Sequence, residues 1–316
     1  MSAHGSQVGG LYEVHGLLLR SEAELPITAS TTSQQEPDLV YEVAPHAEEL
    51  PTPTHSRDDG TDAPWAVEQW IGDRLVVEFP KYAVFELFRD GVTLLTDLCD
   101  DPDMVAHLLL DHILPRVVSL RGDLMLHSAG AVGPSGRAHV FLGPTGAGKS
   151  TLATALAAGG WPLLDDDGIR VVERDSGPHA VPGYGGVRLL PDSAAAVLSG
   201  VPAGRPMSRG HDKRRFAVDG THLAMAASPA LIAAIYVLQR AEGEQASVER
   251  MGLSEALTAI IEQTFHFADE PQAITRKAFE QASALATAVP VWRLHNPSGL
   301  HRLDTTKAMI AQLDAS

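Results

Sequence analysis

Short apolar-rich runs separated by polar stretches make residues 8–100 read as β-rich. Residues 73–79 and 83–88 carry apolar side chains at strand spacing, and 92–95 continues the pattern. Asp90-Gly91 stands between the last two runs and predicts a two-residue hairpin loop. From 21 to 64, Ser, Thr, Pro, Glu and Asp displace apolar residues, which predicts short edge strands alternating with mobile loops. The period then changes. Met104, Val105, Leu108, Leu109, Ile113 and Val117 recur at helical spacing, and Pro115 is expected to kink or divide that helix. Residues 124–132 and 137–142 read as strands around the turn Gly133-Pro134-Ser135-Gly136, 152–158 as a helix, and 161–164 as a short strand. Further on, 231–238 and 290–294 predict strands, while 254–267, 272–288 and 304–313 predict helices. No internal repeat interrupts this order.

The pattern predicts an α/β chain in three stretches: a β-rich region with mobile loops over 1–100, a helical connector over 101–122, and an α/β domain over 123–316. A length of 316 residues suits about two domains of ordinary size. Apolar residues make up 44%, enough for packed cores. The net charge of −16 excludes a general affinity for nucleic acid or for an anionic membrane. The one cysteine, Cys99, excludes an intrachain disulfide and points to a reducing compartment, with a small buried apolar residue as its ordinary role. The first residues lack the basic start and apolar run of a signal peptide, and no stretch has the length of a membrane span. The expectation is a cytoplasmic protein.

One stretch changes the picture. Gly143, Pro144, Thr145, Gly146, Ala147, Gly148, Lys149, Ser150 and Thr151 fill every position of a G-x-x-x-x-G-K-[ST] phosphate-binding loop, between a predicted strand and a predicted helix. Glycines let successive backbone N–H groups turn toward a polyphosphate, and the helix aims its positive end at the anion. Lys149 reaches the β- and γ-phosphates, and Ser150 offers its hydroxyl to Mg²⁺. ATP and Mg²⁺ are therefore the expected ligands.

Such a site needs a carboxylate beside the metal, usually at the end of a buried strand. Asp165, Asp166 and Asp167 follow Leu163-Leu164 on the element directly after the loop's helix. Clustered carboxylates repel, so one of them should resist ionisation unless a cation offsets the repulsion. That suits a division in which one aspartate holds metal and another accepts a proton from a hydroxyl. An acidic surface turn running into Gly168 is the other reading. Pairing Val132 with Arg137 across the preceding turn would put His127 opposite Leu142, next to Gly143, and so in the active site. A histidine satisfied at a strand end is the alternative, because a one-residue slip reverses its face.

The segments His127-Ser128-Ala129-Gly130, 143–151 and Leu163-Leu164-Asp165-Asp166-Asp167 together resemble the catalytic domain of HPr kinase/phosphorylase, whose nucleotide-binding core is shared with phosphoenolpyruvate carboxykinase. Residues 182–192 are similar to a stretch of the shorter HPr-kinase-like proteins, including those linked to phosphorylation of peptide precursors. The resemblance covers about 120–240 and implies a P-loop core of that type behind a β-rich N-terminal region. It implies that Lys149 and Ser150 hold phosphate and magnesium, that Asp166 assists the metal, that Asp167 is the base toward the acceptor serine, and that His127 lies in the site. Asp165 stands where that family usually has a small residue, and its role is open. The N-terminal region does not match that of HPr kinase proper, and Val187-Arg188-Leu189 is at best a loose counterpart of the bifunctional enzyme's Glu-Ile-Arg-Gly-like loop.

Positive charge is gathered at 205–215, which holds five of the 24 Lys and Arg residues with one acid. Lys213 and Arg215, with Arg188, are candidates to neutralise the transferring phosphoryl group, the segment acting as a lid over the nucleotide or binding an acidic acceptor. A solvated basic loop is the competing reading. Zinc-ligand spacing and a Gly-x-Ser-x-Gly elbow are both absent from the sequence. The expected activity is ATP-dependent phosphoryl transfer to a hydroxyl, a serine above all, on a peptide, protein or small molecule. The partners are that acceptor and the nucleotide, without nucleic acid or membrane, and a homo-oligomer is compatible with the chain. A nucleotide-binding regulatory or assembly module with weak or no ATPase activity is the alternative. Carboxykinase-like chemistry ranks lower, for want of a second-metal site.

Overall fold

A computed structural model describes all residues except 1–8, 32–34, 45–54, 57–64, 199, 202, 208–211, 219, 243–244, 268–269, 298 and 316. The chain is mixed α/β and divides into two units, one of residues 1–122 with 266–275, the other of 123–265 with 276–316.

The first unit is built on an eight-stranded sheet. Its strands are β1 (Gly10–Val14), β2 (Leu17–Ser21), β3 (Leu39–Val43), β4 (His55–Ser56), β5 (Val67–Ile71), β6 (Arg74–Phe79), β7 (Ala83–Phe88) and β8 (Gly91–Asp97), in the order β1-β2-β3-β8-β7-β6-β5-β4. The β7–β8 loop is Arg89-Asp90, one residue earlier than expected. Gly91 instead pairs with Phe88 inside the sheet, where a Cβ would come 2.4 Å from the Val40 carbonyl oxygen. The predicted helix is indeed divided near Pro115, into α1 (Pro102–His107), a π-helical turn (Leu108–Ile113) and α2 (Leu114–Leu120). Arg116 and Glu68, both buried, pair at 3.2 Å, so the helix is tied to β5. Cys99 is half-buried rather than fully buried, its Sγ turned to the Asp101 carbonyl.

The second unit carries nine strands in one sheet: β9 (Leu124–Leu126), β10 (Ala129–Val132), β11 (Ala138–Leu142), β12 (Leu163–Asp165), β13 (Ile169–Arg174), β14 (Gly177–Val181), β18 (Ala230–Ala241), β19 (Ser247–Arg250) and β20 (Val291–Pro297). β18 is its axis. It runs parallel to β11 on one edge, and its other edge pairs first with β14 and then, parallel, with β20. Three further strands, β15 (Gly186–Leu189), β16 (Arg205–Pro206) and β17 (Arg214–Ala217), form a small sheet ordered β15-β17-β16. The helices are α3 (Lys149–Ala158), α4 (Pro191–Val197), α5 (Leu253–Ile261), α6 (Gln272–Ala288) and α7 (Leu303–Asp314). α5 stops six residues short of the expected end, since 262–264 turn and Thr264 bridges to Leu126.

All five residues of β11 are buried, as a parallel strand covered on both faces requires. α3 lays Leu152, Ala153, Leu156 and Ala157 against Phe141, Tyr236 and Leu163, each large side chain contributing about 2 kcal/mol by leaving water. Gly159 and Gly160 (φ +94°) end it.

The end of α7 is tied to the β10–β11 turn. Asp314 accepts the backbone N–H of Ser135 at 3.0 Å and the Ser135 hydroxyl, and meets Nε2 of His139 at 3.0 Å. His139 is buried between Trp161 and Tyr236, and its Nδ1 meets the Tyr236 hydroxyl at 3.1 Å. Burial lowers the His139 pKa from its ordinary 6.5 despite the carboxylate beside it. The unfolded chain therefore holds more protons there, and stability should fall as pH drops through 6.5 toward the folded value. Asp314→Ala should cost about 2 kcal/mol in urea denaturation by stripping a charged acceptor from buried His139 and from Ser135.

Candidate active site

The carboxyl ends of the parallel strands β11, β18 and β20 lie side by side, the place where open α/β sheets hold ligands. β11 leads into Gly143, and the chain turns through exposed Pro144, Thr145 and Gly146 before α3 starts at Lys149. Gly146 (φ +81°) and Gly148 (φ +101°) occupy the left-handed region, which side chains disfavour. Two residues outside the sequence expectation brace this loop. Arg240, at the end of β18, donates to the Gly146 carbonyl at 2.7 Å. Its partner across the ladder, Asn296, lies beside Gly148 and accepts from Thr306 at 2.8 Å. Their signal was positional: both stand near the carboxyl end of a strand.

Lys149 is buried and donates to the Gly143 carbonyl at 2.7 Å. Burial brings its ammonium down to about 8, against the opposing pull of Asp167 and Asp166 and with help from Lys213 and Arg188. Ser150 donates to the Asp166 backbone carbonyl at 3.2 Å, so the loop and the acidic strand end meet. Thr151 turns away, to Ser193 at 3.4 Å.

β12 carries Asp165 to the strand end, and the three aspartates diverge in environment. Asp165 is buried, and its Oδ1 accepts the backbone N–H groups of Asp166 (2.6 Å) and Asp167 (3.0 Å). Burial, reinforced by the Asp166 charge, pushes its carboxyl well above the ordinary range. Its Oδ2 has no hydrogen-bond partner and packs against Gly183, where a Cβ would fall 1.4 Å away. Asp166 is fully buried, and its Oδ2 accepts the Arg188 backbone N–H at 2.7 Å. Asp167 is 22% exposed and holds the Arg188 guanidinium at 2.6 Å and His127 Nε2 at 3.4 Å. Burial would raise its carboxyl, but Arg188 and His127 outweigh that and hold it well below the ordinary range.

His127 reaches the site by a route the sequence reading did not foresee. The turn pairs Val132 with Ala138, one residue off the expected register. The predicted strand also breaks in two. β9 pairs with β13 and β10 with β11 and β12, so His127 sits at the crossing, its backbone N–H donating to Gln263 at 2.7 Å. Of the remaining candidates, Arg188 is in the cluster, Arg215 stacks over the Tyr184 ring at 5.5 Å, and Lys213 exerts its charge on Lys149. Residues 208–211 of the basic segment lie outside the described residues.

The donors gathered here are oxygens, the chemistry a hard cation such as Mg²⁺ prefers: the Ser150 hydroxyl, the Asp166 carboxylate and its carbonyl. Among the described residues, no group of three or more His, Cys, Asp or Glu could hold a metal by itself, and no helix is long and apolar enough to cross a membrane.

No protein-family model and no curated protein matches the chain. Among solved structures, the Hpr(Ser) kinase/phosphatase from Coxiella burnetii is similar to it, with 13% identity, a TM-score of 0.31, and coverage of 60% of this chain and 87% of that one.

Gly183→Ala should destabilise the protein by about 1–3 kcal/mol through overpacking on Asp165. Combining it with Asp165→Ala should cost less than the two single losses added together, a coupling that a double-mutant cycle in urea measures directly.

Proposed function

We propose that this protein is an ATP-dependent phosphotransferase acting on a hydroxyl group, a serine above all. The observation that carries this reading is the meeting of Ser150 with Asp166 while Asp167, Arg188 and His127 close around the same strand end. A pure binding module needs a phosphate loop and a metal carboxylate. It has no use for a second, partly exposed carboxylate held ionised by two bases.

In this reading the backbone of 143–148 and the start of α3 receive the β- and γ-phosphates, with Lys149 moving from the Gly143 carbonyl to a phosphate oxygen. Ser150 and Asp166 would hold Mg²⁺, which when bound supplies charge neutralisation on the phosphates. Asp167, the exposed member of the three, accepts the proton of the acceptor hydroxyl as the hydroxyl oxygen attacks the γ-phosphorus in line and the bond from that phosphorus to the β,γ-bridging oxygen breaks, releasing ADP. Arg188 gives the base its timing. In the ligand-free protein it keeps Asp167 charged and a weak proton acceptor. A γ-phosphate competes for the same guanidinium, and every bond it takes raises the proton affinity of Asp167. His127 orients the carboxylate from the other side.

Lys149→Ala should abolish label transfer from γ-labelled ATP to a hydroxyl acceptor. Asp167→Asn should lower kcat by about 10²–10⁴-fold with little change in nucleotide affinity. Full transfer by Asp167→Asn would show that the base is elsewhere, and ADP release without acceptor labelling would favour the regulatory module. Phosphate binding should also return Lys149 from about 8 toward its ordinary 10.5. Titration calorimetry with Mg·ATP near pH 8.5 in buffers of different ionisation enthalpy should then register proton uptake, absent in Lys149→Met.

A further inference from the structure

Three arginines stand in a row across the small sheet. Arg188 on β15 pairs directly with Arg215 on β17, which pairs directly with Arg205 on β16. Directly opposed residues of antiparallel strands project from the same face, so the three side chains share one side of the sheet. That side is the one from which Arg188 reaches Asp167 at 2.6 Å. The alternate positions Val187, Leu189 and Phe216 belong to the core on the other face. Like charges directly opposed on a sheet repel, and a chain of net charge −16 with 24 basic residues has no general surplus of cations to scatter. Lys213, which precedes β17, adds a charge whose field is felt at Lys149.

The row also has a direction. It starts at the buried guanidinium that holds the proposed base, passes Arg215 over the Tyr184 ring, and ends at exposed Arg205. Paired Cα atoms lie about 5 Å apart, so it extends roughly 10 Å from Arg188. In the proposed site the loop, Lys149 and the Arg188 guanidinium serve the nucleotide phosphates, which leaves Arg215 and Arg205 for a second anion.

We propose that this arginine row is the acceptor-binding site and selects an acidic peptide, with carboxylate side chains within about three residues of the serine that is phosphorylated. Three residues of extended chain span about 10 Å, the length of the row. The inference rests on the phosphotransferase reading of the neighbouring site.

Two fluorescein-labelled peptides with one serine, flanked in one by three Glu and in the other by three Lys, test it by anisotropy with saturating Mg²⁺ and a non-hydrolysable ATP analogue. The Glu peptide should bind at least about tenfold more tightly. Arg205→Glu should weaken the Glu peptide by about fivefold or more and strengthen the Lys peptide, while the affinity for the ATP analogue stays within about twofold. A reversal of preference cannot come from unfolding. Equal affinity of the wild type for the two peptides would overturn the proposal. So would an Arg205→Glu protein that keeps the original preference, or one whose only change is weaker binding of the ATP analogue. Failure of the wild type to bind the ATP analogue would instead overturn the reading of the site itself, because that binding is assigned to the phosphate loop, Lys149 and Arg188 and not to Arg215 or Arg205.

Discussion

Three consecutive carboxylates at a buried strand end cannot all be ionised alike, and the site is organised around that conflict. Asp165 yields first: in full burial its neutral form is favoured, and its Oδ1 receives the backbone N–H groups of the next two residues. Arg188 resolves the rest by giving its backbone N–H to Asp166 and its guanidinium to Asp167. One carboxylate thus shapes the turn, one stays buried on the Arg188 backbone N–H, and one faces outward with its charge intact. Without Arg188 the repulsion between Asp166 and Asp167 would be opposed chiefly by Lys149 and His127.

The same arginine connects the acidic strand end to the small three-stranded sheet. Its position on β15 is set by pairing with β17, so the register of that sheet fixes where the guanidinium arrives. The phosphate loop is fixed independently by the carboxyl ends of β18 and β20, through Arg240 and Asn296. Two separately anchored elements therefore meet at Ser150 and Asp166.

Much of this was legible from the sequence because it is local. The loop motif, the strand before it, the helix after it and the acidic end of β12 are encoded within a few residues of one another, and period and glycine placement suffice to place them. The β10–β11 register was not legible. Pairing across Gly133–Gly136 differs by one residue between two apolar strands that are buried on both faces, so no polar alternation marks the choice. The break at His127 was hidden for a similar reason, since β9 and β10 read as one apolar run and only their different partners separate them. Arg240 and Asn296 depend on pairings between distant strands, information that short-range patterns lack. Asp165 was visible as a residue, but its role required knowing that Gly183 lies against it.

The pairing of β18 bears on how the chain is made. One edge is satisfied by β11, synthesised long before it, and the other by β14 over its first residues and by β20, synthesised after it, over the rest. The first unit likewise includes residues 266–275, well after its own sheet has left the ribosome. Neither unit closes in simple N-to-C order, and until β20 is made the edge of β18 that it covers presents unpaired backbone N–H and C=O groups. Yield in a heterologous host should accordingly depend on translation speed and holdase supply more than on the stability of the finished molecule.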